Sequence, residues 1–285
     1  VDASILWRSV LFVPGTSRER FPKAFASGAD AVVLDLEDGV DAARKAEARE
    51  AVGEWLATTP ADGAARLVRV NGAASAFVDD DLEWLSSIEG LYDAVVLPKV
   101  ETPDEIAGIA GMAASTPIVP LLETARAILH ARDILTAGPE IPAVLFGAED
   151  LTAELGTPRT VDGEELIVAR GLVVLAAVSI GAEPIDAVFV EIANPDRLRQ
   201  DAIRARAVGF TGKMAIHPDQ VSVINETFSP SAEEVAAARK ILEAGEAARA
   251  RGEGAFRLDG RMVDAPVIRR AERVLALAER RRGHP

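Results

Sequence analysis

Ala31-Val-Val-Leu-Asp-Leu-Glu-Asp-Gly39 decides the fold. Its first six residues, Ala31–Leu36, read as a β-strand without regular hydrophobic alternation, as a parallel strand covered on both faces does. The strand runs straight into Glu37, Asp38 and Gly39, so it ends in carboxylates and a turn residue. Next comes Ala42–Ala57, with Ala46, Val52 and Leu56 on one side and charges on the other, the pattern of an amphipathic helix. Strand, polar end and helix make one β/α unit.

Working outward, the unit recurs. Seven more runs read as strands: Val10–Val13, Leu67–Val70, Ala94–Pro98, Ile118–Leu122, Ala143–Phe146, Ala187–Glu191 and Gly212–Ile216. Between them lie a helix opened by Pro103 in its first turn and candidates at Glu164–Ile180 and Pro195–Val208. This strict alternation predicts a parallel α/β fold. Eight strands favour a closed (β/α)₈ TIM barrel, with a doubly wound open sheet second.

After His217 the pattern changes. Ser231-Ala-Glu-Glu234 is a capping box that opens a long helix. Phe256–Val263 reads as a hairpin turning at Asp259-Gly260. Asp264-Ala-Pro266 opens a last helix with Val267, Ala271, Val274, Leu275 and Ala278 on one face. The expected division is a barrel domain over 1–227 and a C-terminal hairpin and helical arm or lid over 228–285.

Composition narrows the function. The 285 residues are 49% apolar and 27% charged, which excludes a disordered chain. There is no cysteine, hence no disulfide, thiolate metal site or cysteine nucleophile. Leu166–Ile180 is interrupted by Arg170 and too short to span a bilayer. The absence of cysteine fits a reducing, cytoplasmic setting, and the opening Val-Asp-Ala-Ser does not read as a signal peptide. A net charge of −14 repels nucleic acid and anionic membranes. An anionic substrate would need local cations or a metal.

In a parallel barrel, functional groups gather at the C-terminal strand ends. Here those ends carry Asp35, Glu37 and Asp38, then Arg69 and Asn71, then Lys99 and Glu101, Glu123, Glu149 and Asp150, Glu191, and Lys213 with His217. Carboxylates from several strands facing one mouth repel unless a cation sits among them. An oxygen-only donor set suits Mg²⁺ or Mn²⁺ rather than Zn²⁺. Bland readings stand beside this one. Asp38 and Asp150 suit helix N-caps, His217 a structural or capping role, and Lys99 a partner for a nearby carboxylate. Gly209–Met214 lacks the spacing and hydroxyl of a phosphate-binding loop.

Several motifs then occur together in order: Arg8-Ser-Val-Leu-Phe-Val-Pro-Gly15, Leu34-Asp-Leu-Glu-Asp-Gly-Val40, Val68-Arg-Val-Asn71, Leu97-Pro-Lys-Val-Glu101, Phe146-Gly-Ala-Glu-Asp150, Gly209-Phe-Thr-Gly-Lys213 with Ile216-His-Pro218, and Gly260-Arg-Met-Val-Asp-Ala-Pro266. Over nearly its whole length the chain resembles the citrate lyase β-subunit-like family, which includes malyl-CoA and citramalyl-CoA lyases. The resemblance implies a (β/α)₈ barrel, Mg²⁺ (with Mn²⁺ as a substitute), an acyl-CoA substrate with a small oxo-acid, and a homotrimer or hexamer. It implies Glu123 and Asp150 as direct Mg²⁺ ligands, with Glu37 and Asp38 supporting the metal through water. Arg69 is implied at the oxo-acid and the developing oxyanion. Arg18 and Lys23 are implied at the coenzyme A phosphates, and Asp264 as a general acid/base on a lid. Two other readings remain open: a metal-dependent aldolase on free 2-oxo acids, and a citrate lyase β subunit working on an acyl carrier protein.

Overall fold

The computed structural model describes residues 6–61, 63–112, 116–137 and 140–283. It separates into two compact units, Val1–Phe228 and Ser229–Pro285. In the first, eight parallel strands close into the expected barrel: β1 (Ser9–Pro14), β2 (Ala31–Asp35), β3 (Ala65–Arg69), β4 (Ala94–Leu97), β5 (Ile118–Leu122), β6 (Ala143–Phe146), β7 (Glu183–Asp186) and β8 (Gly212–Ala215). β8 pairs back onto β1. The helices are α1 (Phe21–Phe25), α2 (Lys45–Thr58), α3 (Val78–Ser87), α4 (Pro103–Met112), α5 (Ala125–Leu129), α6 (Ala131–Leu135), α7 (Ala148–Leu155), α8 (Ile167–Ser179), α9 (Pro195–Val208) and α10 (Pro218–Phe228).

Two cores explain the unalternating strands. Val10, Val33, Leu67, Val96, Leu121, Leu145 and Met214 belong to one cluster, at positions of one parity along their strands, and fill the barrel. Val32, Leu34, Val68, Leu97 and Phe146, of the other parity, pack outward under the helices. By the same alternation, Asp35 follows Val33, Arg69 follows Leu67 and Glu123 follows Leu121 onto the inner face at the C-terminal end.

The seventh strand corrects the reading of Ala187–Glu191: it runs over Glu183–Asp186, and Ala187–Val190 follow it as irregular chain. An apolar run was the wrong cue because this strand buries charge. Asp186 is fully buried and accepts from Arg170 Nε at 2.8 Å, Arg170 Nη2 at 2.9 Å and Lys213 Nζ at 2.5 Å. Asp201 on α9 completes the cluster, at 3.0 Å from Arg170 and 2.6 Å from Lys213. Two cations and two anions balance, the condition for holding such groups out of water. Arg170, which interrupts an apolar stretch of sequence, is therefore turned inward. His217 takes its bland role: its Nδ1 accepts the Asp219 N–H at 3.2 Å at the start of α10.

In the second unit the capping box forms. Ser231 Oγ accepts the Glu234 N–H at 3.1 Å, and Glu234 returns the bond to the Ser231 N–H at 2.8 Å. It opens α11 (Ala232–Ala250). β9 (Phe256–Leu258) and β10 (Arg261–Val263) form the hairpin, and α12 (Ala265–Gly283) packs on α11. The hairpin turn needs positive φ at both central residues, and Asp259 (49°) and Gly260 (78°) supply it. No described helix is long and apolar enough to cross a membrane.

Candidate active site

Strand register builds the site. Asp35 at the end of β2 lies directly beside Arg69 at the end of β3. The guanidinium is gripped through both edges of one carboxylate, Nε to Oδ1 at 2.6 Å and Nη2 to Oδ2 at 2.7 Å. Its other terminal nitrogen faces Glu37 Oε2 at 3.0 Å, and its carbon lies 5.2 Å from the Phe12 ring centre. Burial works against the Arg69 charge, but Asp35, Glu37 and Glu123 outweigh it and raise its pKa. Arg69 is a fixed cation at the mouth.

Asp35 also shapes the loop that follows. Its carboxylate accepts the Glu37 N–H at 2.9 Å and the Gly39 N–H at 3.0 Å. A Cβ at position 39 would stand 2.4 Å from Asp35 Oδ2, so only glycine lets this loop close. Glu37 is buried and Asp38 exposed. Burial raises the Glu37 pKa, with Arg69 and Lys99 pulling it back.

Glu123 is 2% exposed and accepts the Lys99 backbone N–H at 2.7 Å. Asp150, in the first turn of α7, lies close enough to act on the Glu123 charge. Burial, then the hydrogen bond and charge of Asp150, push the Glu123 pKa up to about 8. Gly147 makes the approach possible, since a Cβ there would come within 2.3 Å of the Glu123 Cβ. Burial and the neighbouring Asp150 charge thus both oppose ionisation of Glu123.

Among the described residues, no three His, Cys, Asp or Glu side chains converge as a ready metal cage. The donor set nonetheless fits Mg²⁺, which keeps several waters and is often held by only one or two carboxylates plus substrate oxygens. Glu123 and Asp150 would supply that pair, and a divalent ion there would favour the ionised form of Glu123.

The structure thus gathers Glu37, Asp38, Arg69, Glu123 and Asp150 around one mouth. Asn71, Gly72–Ser75, Phe77 and Lys45 extend it into a cleft of about 420 Å³ beside Glu37, Asp38 and Lys99. Arg18 and Lys23 are both exposed, after β1 and on α1; Arg18 pairs with Glu54 on α2. Asp264 belongs to the second unit, at the start of α12, where its Oδ1 accepts the Val267 N–H at 3.4 Å. One residue went unassigned in the sequence. Asp35 carries a usable signal, a charge on the inward face of an otherwise apolar strand. Lys99, read as a partner for a nearby carboxylate, pairs with Glu37 and Asp38.

The chain matches the family model described as HpcH/HpaI aldolase/citrate lyase over residues 8–218. A second, described as a C–C bond lyase of the TIM-barrel fold, matches 165–280. A citrate lyase subunit beta-like protein of Deinococcus radiodurans is 39% identical over 281 residues, 95% of this chain and 97% of that protein. The mitochondrial citramalyl-CoA lyase of Homo sapiens is 34% identical over 289 residues, 95% and 85%. Among solved structures, protein CitE of Mycobacterium tuberculosis in complex with magnesium, acetoacetate and coenzyme A aligns with a TM-score of 0.83 at 37% identity, covering 97% of this chain and 100% of that one.

Proposed function

Because this chain belongs to the HpcH/HpaI aldolase/citrate lyase family of carbon–carbon lyases, we propose that it cleaves or forms a 3-hydroxyacyl-CoA such as citramalyl-, malyl- or citryl-CoA. The products of cleavage are acetyl-CoA and an oxo-acid, and the reaction uses Mg²⁺. The observation that carries this reading is the buried Glu123 carboxylate, with Asp150 close by, beside an arginine locked by Asp35. The magnesium, acetoacetate and coenzyme A complex of CitE supports it.

Glu123 and Asp150 would hold the ion, with Glu37 and Asp38 supporting it through water. When bound, Mg²⁺ supplies Lewis-acid polarisation of the oxo-acid oxygens. Arg69 stabilises the negative charge that develops on the thioester enolate or the oxo-acid. A guanidinium has five N–H donors and does not lose its proton, so donors remain for substrate beyond the Asp35 grip. Asp264 gives the enolate carbon a proton in cleavage and removes one in condensation, carried on the C-terminal lid. Arg18 and Lys23 meet the coenzyme A phosphates. The test is an activity panel with the three thioesters and Mg²⁺.

Arg69→Lys is expected to lower kcat by about 10² or more, because an ammonium keeps the charge but not the fork. Steady-state kinetics check this; unchanged kcat with a raised KM would make Arg69 a binding residue only.

We also propose self-association through α8, as a homotrimer or hexamer. Val168, Leu172, Leu175 and Val178 recur at helical spacing on its outer side, from 37% to 75% exposed, and the helix carries no exposed charge. A Leu175→Glu variant should shift to a smaller species in sedimentation velocity, and an unchanged sedimentation coefficient would contradict this surface.

A further inference from the structure

Lys99 has an unusual backbone. Its φ is 53°, in the left-handed region that residues with a Cβ rarely adopt. The conformation turns its N–H onto Glu123 Oε1 at 2.7 Å. The same residue sends its ammonium the other way, onto Glu37 and onto both oxygens of Asp38 at 3.1 Å. Lys99 therefore touches both pairs of carboxylates at the mouth, one through the main chain and one through the side chain. Glycine would hold this backbone at lower cost. What lysine adds is the ammonium.

We propose that Lys99 is a positioning residue that limits the site to one divalent cation. Its ammonium, together with Arg69 on Glu37, is the built-in counter-ion of Glu37 and Asp38, so only Glu123 and Asp150 are left to touch a metal directly. The proposal rests on the assignment of the metal to Glu123 and Asp150. Formal charges show the effect. With Arg69 and Asp35 cancelling each other, the carboxylates of Glu37, Asp38, Glu123 and Asp150, one ammonium and one divalent ion leave a single negative charge. Deleting the ammonium leaves two, which a second divalent ion matches. The Lys99 N–H on Glu123 would meanwhile fix which carboxylate oxygen faces the ion, and a glycine in the same conformation keeps that contact.

Counting bound ions separates these roles. Mn²⁺ titrations followed by electron paramagnetic resonance would be run on wild type, Lys99→Gly, Lys99→Arg and Glu123→Gln, each checked for folding by thermal melt. Wild type and Lys99→Arg are expected to bind one ion per chain with similar affinity. Lys99→Gly is expected to bind two, or to bind one at least about tenfold more tightly because a nearby positive charge is gone. A folded Lys99→Gly that binds one ion with wild-type or weaker affinity overturns the proposal. Wild-type binding that survives Glu123→Gln undiminished overturns the metal assignment instead, and the proposal with it.

Discussion

Asp264→Asn is expected to melt near the wild-type temperature, to bind the coenzyme A thioester, and to lose turnover by about 10²–10⁴, the range for loss of a general acid–base group. Asp264 already has a structural task at the start of α12, where it receives the Val267 N–H. As a cap alone, its replacement by Ala would cost about 0.5–2 kcal/mol of stability and leave the chemistry of the folded fraction intact. Asparagine separates the roles, because it caps a helix well but cannot carry the proton. The cap contact is long, at 3.4 Å, so little stability rides on it. An Asn variant that keeps more than half of wild-type kcat would remove Asp264 from the reaction. Mixing inactive Asp264→Asn and inactive Arg69→Lys subunits tells where the group acts. Recovered activity after exchange places the aspartate in a neighbouring subunit's site, and none despite verified exchange places it over its own barrel.

Glu123→Gln should lower Mg²⁺-supported turnover by at least about 10³, the upper range for removing one electrostatic stabiliser. Asp150→Ala should do the same. Stability should move the other way. The Glu123 pKa is raised to about 8, so in the metal-free protein its stabilising contribution is present at low pH and is lost as pH rises through 8. Gln cannot ionise. Without divalent ions, the variant should therefore gain in melting temperature over wild type most clearly at pH 8 to 9. The same proton makes cation affinity rise with pH up to about 8 and level off above it. A Glu123→Gln protein with wild-type kcat would show that the pair is not the metal site, and a cation affinity flat from pH 6 to 9 would show that Glu123 is already ionised at neutral pH.

Most of the barrel was legible because its strands are buried on both faces. Ile118–Leu122 and Ala143–Phe146 are apolar end to end and coincide with β5 and β6. The hairpin was legible from Asp259-Gly260, whose backbone preferences nearly fix the turn. β7 was not, because its Asp186 is neutralised by Arg170, 16 residues earlier, and Lys213, 27 residues later. Such pairing shows only when the strands are in register. The site divides along the same line. Carboxylates at strand ends can be read in sequence. The grip of Asp35 on Arg69 spans 34 residues and needs the β2–β3 register to bring the two side by side. The left-handed turn at Lys99 leaves no mark in sequence, since lysine is not a residue that favours it.

The central claim is tested most directly by incubating the purified protein with citramalyl-, malyl- and citryl-CoA and following acetyl-CoA and oxo-acid together. The account predicts that at least one thioester yields the two products in equal amounts, that EDTA stops the reaction, and that Mg²⁺ restores it. Release of free coenzyme A without oxo-acid, undiminished turnover after EDTA, or cleavage confined to free 2-oxo-acid aldols or to acyl carrier protein thioesters would contradict it.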